Sequence, residues 1–403
     1  MLHSFSCENF YSFKNKVSID FTVNGDAPKT EGYFSTPLGV RLSKTQVVVG
    51  SNASGKTILL KALPFLQWLI THSFSQDLDA PLPFQSFELD DGSRKKATVM
   101  EVVFEIDKII YSYSVSMTRE RIVSEKLEKT EFVTNRKSTK LVFDRMWDEK
   151  NKRYKLKNKC GLPDNFESSL RGNVSTISLA IQFNHSESRE IGGFWSNVYT
   201  NVSEAGWFGD HLVLNSVERF LSVLDLYEKN SGVKEKMEKY LATFDLGLSG
   251  VEVRKEKTGS RSVFHAKGIH SLDGKEYSLD LTLESSGTKQ FMMMLAVIIR
   301  VLENGGIAVI DEFEVNLHPE MVRELFSMFI HPEINPKNAQ IIFSTHSHSV
   351  LEDLDKYQIV LVEKDESGAS DAWRLDTVKG VRSDDNHYMK YVTGVYGAVP
   401  RIR

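Results

Sequence analysis

Residues 17–23, Val-Ser-Ile-Asp-Phe-Thr-Val, alternate apolar and polar positions, which predicts a strand with one buried face. Residues 25–42 are turn-rich. Residues 45–49 form a short β-branched run, the pattern of a strand buried on both faces. Apolar positions at helical spacing predict a helix over 57–70, with Pro64 expected to kink it or end its first segment. Residues 98–143 read as a β-meander, with its first two strands, 96–106 and 109–117, joined by a tight Asp107-Lys108 turn. Tyr111, Tyr113, Val115 and Met117 alternate with serines in the second strand.

Helical spacing returns over 215–244, with Gly232 expected to break it. Strand-like alternation resumes over 251–283, with a basic loop at Arg254, Lys255, Lys257 and Arg261. A very apolar helix is predicted over 290–302, ended by Gly305 and Gly306. Strand 307–310, helix 320–329, strand 340–344, a short helix at 351–354 and strand 358–362 complete the pattern. Alternation of strands and helices predicts a parallel sheet, with ligands at the C-terminal ends of its strands. No internal repeat is present, and no heptad run is long enough for a long coiled coil.

The chain has 403 residues, 41% hydrophobic and 26% charged, an ordinary composition for a folded soluble protein. That length allows two or three domains, or one large α/β unit with insertions. A formal net charge of −4 gives no global attraction to nucleic acid. Two cysteines, Cys7 and Cys160, cannot make a disulfide framework or a four-cysteine zinc site, and fit a reducing compartment. The first residues lack a signal-peptide pattern, and the apolar run 291–299 is far too short to span a membrane. A cytoplasmic protein without membrane partners is therefore expected. Residues 136–159 are the local exception, with ten Lys/Arg against Asp144, Asp148 and Glu149 and with Phe143, Trp147 and Tyr154 interleaved. They could track a nucleic-acid backbone and stack bases, or form a solvated hairpin whose aromatics pack on the domain beneath. The slight acidity of the whole chain favours the second reading.

Three strand ends carry candidate chemistry. Gly50-Ser51-Asn52-Ala53-Ser54-Gly55-Lys56-Thr57 matches the phosphate-loop pattern in full, with a β-branched strand before it and an apolar helix after it. Its backbone N–H groups and the helix N-terminus would face an anion. Lys56 would meet the β- and γ-phosphates, and the Thr57 hydroxyl would ligate magnesium. Ala53 stands where such loops often have glycine, at little cost provided its φ is negative. Asp311 and Glu312 follow the buried run 307–310. Asp311 would bind magnesium, mostly through water, and Glu312 would accept a proton from the attacking water or orient it. His346, in Thr345-His-Ser347, lies after strand 340–344, where it could sense a γ-phosphate; the other histidines read as surface or packing residues. Glu284-Ser-Ser-Gly287 opens the apolar helix, with a serine suited both to an N-cap and to an anion site.

Taken in this order, the phosphate loop, long insertion, Ser-rich signature, Asp-Glu strand and switch histidine resemble the ABC-type ATPase heads. The opening Glu8-Asn-Phe-Tyr-Ser-Phe-Lys14 is similar to the RecF/Rad50/SMC branch, as is the gap of 227 residues between Thr57 and Ser285. Asn316-Leu-His-Pro319 resembles the D-loop of OLD-like AAA ATPases, and the tail 391–400 resembles AbiL/RloA-type ATPases of bacterial phage defence. The resemblance implies an α/β P-loop NTPase fold, an ABC-type head split by an inserted β-meander and a helical subdomain. It divides the chain into 1–97, 98–270 and 271–403, the outer parts forming the head. It implies ATP and magnesium as cofactors, and an ATPase whose signature closes on a second copy in a head-to-tail homodimer or higher homo-oligomer. Ser286 replaces the first signature glycine, which leaves Ser285 and Gly287 as the expected γ-phosphate contacts. Gln85 is the candidate for the glutamine that joins magnesium to the insertion. Some 40 residues follow Val362, too few for a nuclease region, so the expected effector is a separate nuclease or toxin, an RloB-like protein being one candidate, with nucleic acid a further partner to consider. A DNA-repair or chromosome-handling ATPase is the alternative, and a transporter subunit a more distant one.

Overall fold

The computed structural model describes residues 1–133, 136–163, 165–202, 216–244, 247–258, 261–314 and 317–399. The chain runs through β1 (Leu2–Glu8), β2 (Val17–Asp20), β3 (Tyr33–Ser35), β4 (Arg41–Ser43), β5 (Thr45–Val49), α1 (Lys56–Thr71), α2 (Asp91–Arg94), β6 (Thr98–Ile106), β7 (Ile109–Met117), β8 (Ile122–Val133), β9 (Arg136–Asp148) and β10 (Arg153–Asn158). It continues through α3 (Thr176–Gln182), α4 (Ser186–Trp195), β11 (Val198–Thr200), α5 (Ser216–Lys229), α6 (Ser231–Thr243), β12 (Gly250–Thr258), β13 (Arg261–Leu272) and β14 (Lys275–Asp280). Last come α7 (Ser286–Asn304), β15 (Ile307–Ile310), α8 (Pro319–Ile330), β16 (Gln340–Ser344), β17 (Ile359–Lys364), β18 (Ser370–Arg374) and α9 (His387–Val392).

Two large sheets organise these elements. A six-stranded sheet has the order β11-β15-β16-β5-β17-β18, parallel except for β18. Its central strands β15, β16, β5 and β17 are mostly apolar and buried because both faces are covered. Val48, Val309, Ile342 and Val360 face α1, while Val47, Val49, Ala308, Ile310, Ile341 and Phe343 face α7 and α8. The other sheet is antiparallel, β10-β9-β8-β7-β6-β1-β2, so the predicted meander continues the sheet of the first two strands. Helix α1 belongs to the core that this sheet shares with the parallel one. The buried Gln340 side chain also joins the sheets, accepting from Leu2 N–H at 2.7 Å and donating to Leu2 C=O at 2.9 Å.

Several expectations change in detail. Helix α1 runs through Pro64 to Thr71, with every side chain from Leu59 to Ile70 buried. Each large apolar side chain so buried contributes about 1.5–3 kcal/mol, against about 3 kcal/mol for an interior proline. The break between α5 and α6 falls at Asn230, whose Oδ1 accepts from Val233 N–H at 3.1 Å and caps α6; Gly232 lies inside that helix. Helix α7 begins at Ser286, because Ser285 caps it. The short helix expected at 351–354 is a 3-10 segment, His348–Asp353. The boundary expected at residue 270 falls inside β13, which pairs with both β12 and β14. The Asp107-Lys108 turn is as expected, with φ of 45° and 67°, the left-handed pair of a tight hairpin turn. Asn316 lies outside the described residues.

The basic stretch is the packed hairpin β9–β10. Phe143 and Tyr154 are buried, and an Arg121 guanidinium lies 4.4 Å from the centre of the Trp147 ring. Arg145, one of the ten basic residues of the stretch, is fully buried against Glu125. The other nine basic residues are exposed. Among them Lys140, Lys152, Lys155 and Lys157 pair with Glu131, Glu149, Asp148 and Asp144.

Candidate active site

The phosphate loop leaves β5 at the C-terminal edge of the parallel sheet and enters α1. Gly50 is required by close approach, since a Cβ there would lie 2.2 Å from Val362 C=O. Gly55 has φ of +118°, and a Cβ there would meet Ser370 Oγ at 2.6 Å. The Ser370 hydroxyl donates to Ser54 C=O at 2.5 Å, and its oxygen lies 2.9 Å from Ser12 Oγ, whose hydroxyl can donate to it, tying the loop to β18 and to the N-terminal motif. Ala53 has φ of +59°. The condition of a negative φ is therefore not met, and the loop carries a left-handed alanine that costs about 1–2 kcal/mol.

Lys56 is buried, and its Nζ donates to Gly50 C=O at 3.0 Å and Ser51 C=O at 3.1 Å. Burial lowers its pKa, and the carboxylates of Asp311, Glu314 and Glu312 oppose that shift. Helix α1 has no side-chain N-cap and no acidic residue in its first turn. By contrast α3, α6 and α7 are capped by Ser175, Asn230 and Ser285. The first N–H groups of α1 are thus left for an anion.

The acids are fixed by residues far away in sequence. Asn201, just past β11, donates to Asp311 C=O at 2.8 Å and accepts from Asp311 N–H at 2.7 Å, extending the β11–β15 pairing by a side chain. Ser344 Oγ donates to Asp311 Oδ1 at 2.5 Å and accepts from Glu312 N–H at 2.8 Å. Glu312 itself has φ of +48° and is exposed. His346 N–H donates to Glu314 Oε1 at 2.6 Å.

One cavity of about 1060 Å³ brings together Lys56, Thr57, Gln85, Asp311, Glu312 and His346. Asn52, Ala53 and Gly55 line it as well, while Ser54 is buried beneath and Gly50 and Ser51 supply the carbonyls that hold Lys56. Ser285 and Gly287 are not among its lining residues; Ser285 is exposed at the start of α7, where its Oγ accepts from Thr288 N–H at 3.0 Å. The oxygen donors of Thr57, Asp311 and Gln85 are the kind magnesium takes, and the uncapped helix end with Lys56 is the kind a polyphosphate takes. The residues present therefore fit both groups.

A family described as "AAA domain, putative AbiEii toxin, Type IV TA system" matches residues 47–352, about three quarters of the chain. The chain belongs to this AAA family. It carries an AAA-type P-loop ATPase domain, of mixed α/β architecture. Among solved structures, the SMC head domain from Thermotoga maritima is similar at 16% identity, over 93% of this chain and 98% of that one, with a TM-score of 0.42. No curated protein matches the chain. Sequence reasoning missed Asn201, Ser344, Ser370 and Glu314. Only Ser344 carried a signal, since it ends the strand leading to His346.

Proposed function

We propose that the chain binds magnesium ATP in this cavity, hydrolyses it, and works as a nucleotide-driven dimerising switch controlling a separate effector. The observation that carries the reading is the meeting of Lys56, Thr57, Asp311, Glu312 and His346 at an uncapped helix N-terminus. Thr57, Asp311 and Gln85 would hold magnesium, whose charge offsets that on the phosphate oxygens. Lys56 turns from the loop carbonyls to the β- and γ-phosphates. Glu312 orients the attacking water or takes its proton, and His346 meets the γ-phosphate. Ser285 and Gly287, away from this cavity but at an exposed helix end, would close on the nucleotide of a second copy, by resemblance to the ABC-type heads.

A role in anti-phage defence of the OLD-like, AbiL/RloA kind is supported by the tail resemblance and by the toxin–antitoxin wording of the family description. The effector is then a nuclease or toxin on another polypeptide. A RecF- or SMC-like role on DNA is the second reading, favoured by the contact of Ser12 in the N-terminal motif with Ser370 beside the phosphate loop. No described helix is long and apolar enough to cross a membrane, and a cytoplasmic site of action is part of the proposal.

Lys56→Ala is expected to lose ATP affinity, and Glu312→Gln to bind ATP, stop turnover and accumulate dimer. Mixing Ser285→Arg with Lys56→Ala should restore part of the activity, because one of the two composite sites then carries neither lesion. Wild-type turnover by Glu312→Gln would remove it as the water-activating group. Proven mixed dimers without any recovery would remove the shared site.

A further inference from the structure

Glu314 belongs to neither the phosphate loop nor the Asp-Glu pair, yet it lines the same cavity. Residues 311–314 run alongside 344–346 through a ladder of bonds. Glu312 N–H meets Ser344 Oγ at 2.8 Å, Phe313 N–H meets Ser344 C=O at 3.0 Å, and His346 N–H meets Glu314 Oε1 at 2.6 Å. Phe313 anchors this run from below, fully buried with its ring 4.7 Å from that of Phe343. The first and last rungs each use a side chain, and the last alone reaches the residue expected at the γ-phosphate. The His346 ring lies at the exposed lip of the cavity, so its position follows from how its main chain is held. The other Glu314 oxygen, Oε2, is buried with no hydrogen-bond partner among the described residues. A buried acceptor left unpaired is costly, and here it belongs to a residue that borders the cavity.

We infer that Glu314 is a positioning residue, holding His346 by its main-chain N–H so that the ring recognises the γ-phosphate. This rests on the reading of the cavity as an ATP site. Only a ligand with a γ-phosphate then feels the loss of Glu314, and what matters is the acceptor oxygen at its place rather than the negative charge. Gln keeps an oxygen at the Oε1 position without the charge. Asp keeps the charge but is shorter by one methylene and withdraws the oxygen from the N–H.

The test measures affinity for ADP and for a non-hydrolysable ATP analogue with an imido β–γ bridge, by calorimetry with magnesium. Glu314→Ala and Glu314→Asp are expected to lose about tenfold for the analogue, the lower end of the usual effect of an orienting group, with ADP binding unchanged. Glu314→Gln should stay close to wild type. In His346→Ala, adding Glu314→Ala should cost nothing more. Equal losses for both nucleotides, or an aspartate variant like wild type and a glutamine variant like alanine, would overturn the assignment. If Glu314→Ala does not fold, the aspartate and glutamine variants still decide. Absence of any nucleotide binding by the wild-type chain would instead remove the ATP reading, and the inference with it.

Discussion

Replacing Arg145 with methionine tests the packing of the β9–β10 hairpin. The guanidinium donates to Glu125 Oε2 at 3.2 Å, to Val174 C=O at 2.7 Å and to Arg171 C=O at 2.5 Å, and lies 3.8 Å from the centre of the Tyr154 ring. Glu125 also accepts from Tyr113 O–H at 2.9 Å, from Thr176 N–H at 2.9 Å and from Thr176 Oγ1 at 2.7 Å. Both side chains of the pair are fully buried. Methionine fills much of the space but leaves Glu125 without its cation and two carbonyls without a donor. Three bonds to a charged group at about 1.5–3 kcal/mol each set an upper bound; release from burying the guanidinium reduces it. Breaking buried pairs from one side costs about 3–5 kcal/mol, and a loss in that range is expected in urea unfolding followed by tryptophan fluorescence. Adding Glu125→Gln should return at least about 1 kcal/mol, because neighbouring sites in one network are not additive. A single-variant loss under about 1 kcal/mol, outside the range for buried pairs, would refute the reasoning.

Ala53→Gly should raise stability by up to about 1 kcal/mol by relieving the left-handed alanine, read as a higher urea midpoint; a lower midpoint would contradict the strain. Asn201→Ala removes both bonds to the Asp311 main chain; magnesium-dependent nucleotide binding should weaken about tenfold while magnesium-free binding holds, in paired titrations. Burial holds the His387 ring below its ordinary 6.5, against the pull of Asp385 and Asp355. The unfolded chain then binds more protons just below that value, so the stability this ring contributes is full above 6.5 and declines as pH falls towards the folded pKa; urea midpoints of His387→Gln should fall less on acidification than those of wild type. Neutralising Lys150, Lys152, Arg153, Lys155 and Lys157 should leave the salt dependence of any nucleic-acid binding unchanged, since Lys152, Lys155 and Lys157 already pair with acids; a flatter slope would make this face a contact.

Strands β5, β15 and β16 were legible to the residue, because each is a short apolar run bounded by polar residues and buried on both faces. Their ends carry the phosphate loop, the acids and His346, so most of the cavity could be read from three short stretches. Asn201 could not be read: it sits 110 residues from Asp311 and acts through a side-chain amide that copies a strand pairing. Ser370 and Glu314 are of the same kind, single side chains bonded to main chain across the fold, which no periodicity records. Arg145 misled for a related reason, since charge counts assume solvent and this guanidinium has none. The sign of φ at Ala53 was invisible because composition says nothing of backbone handedness, and the course of α1 through Pro64 was decided by tertiary burial.

The place of β5 in the middle of the parallel sheet has a consequence during synthesis. Its two neighbours are β16 and β17, so the strand that carries the phosphate loop has no sheet partner until residues 340–364 have been made. At about 5–20 residues per second, those roughly 300 intervening residues take about 15–60 s. The antiparallel strands β1 and β6–β10 need only the first 158 residues and can pair well before that. Throughout the interval Gly50 lacks the Val362 carbonyl against which it packs, and Ser54 lacks the hydroxyl of Ser370. A nascent chain halted anywhere in this interval would present an unpaired apolar strand and a loop unable to grip a nucleotide, so the ability to hold ATP is acquired late, as the last strands of the sheet are added.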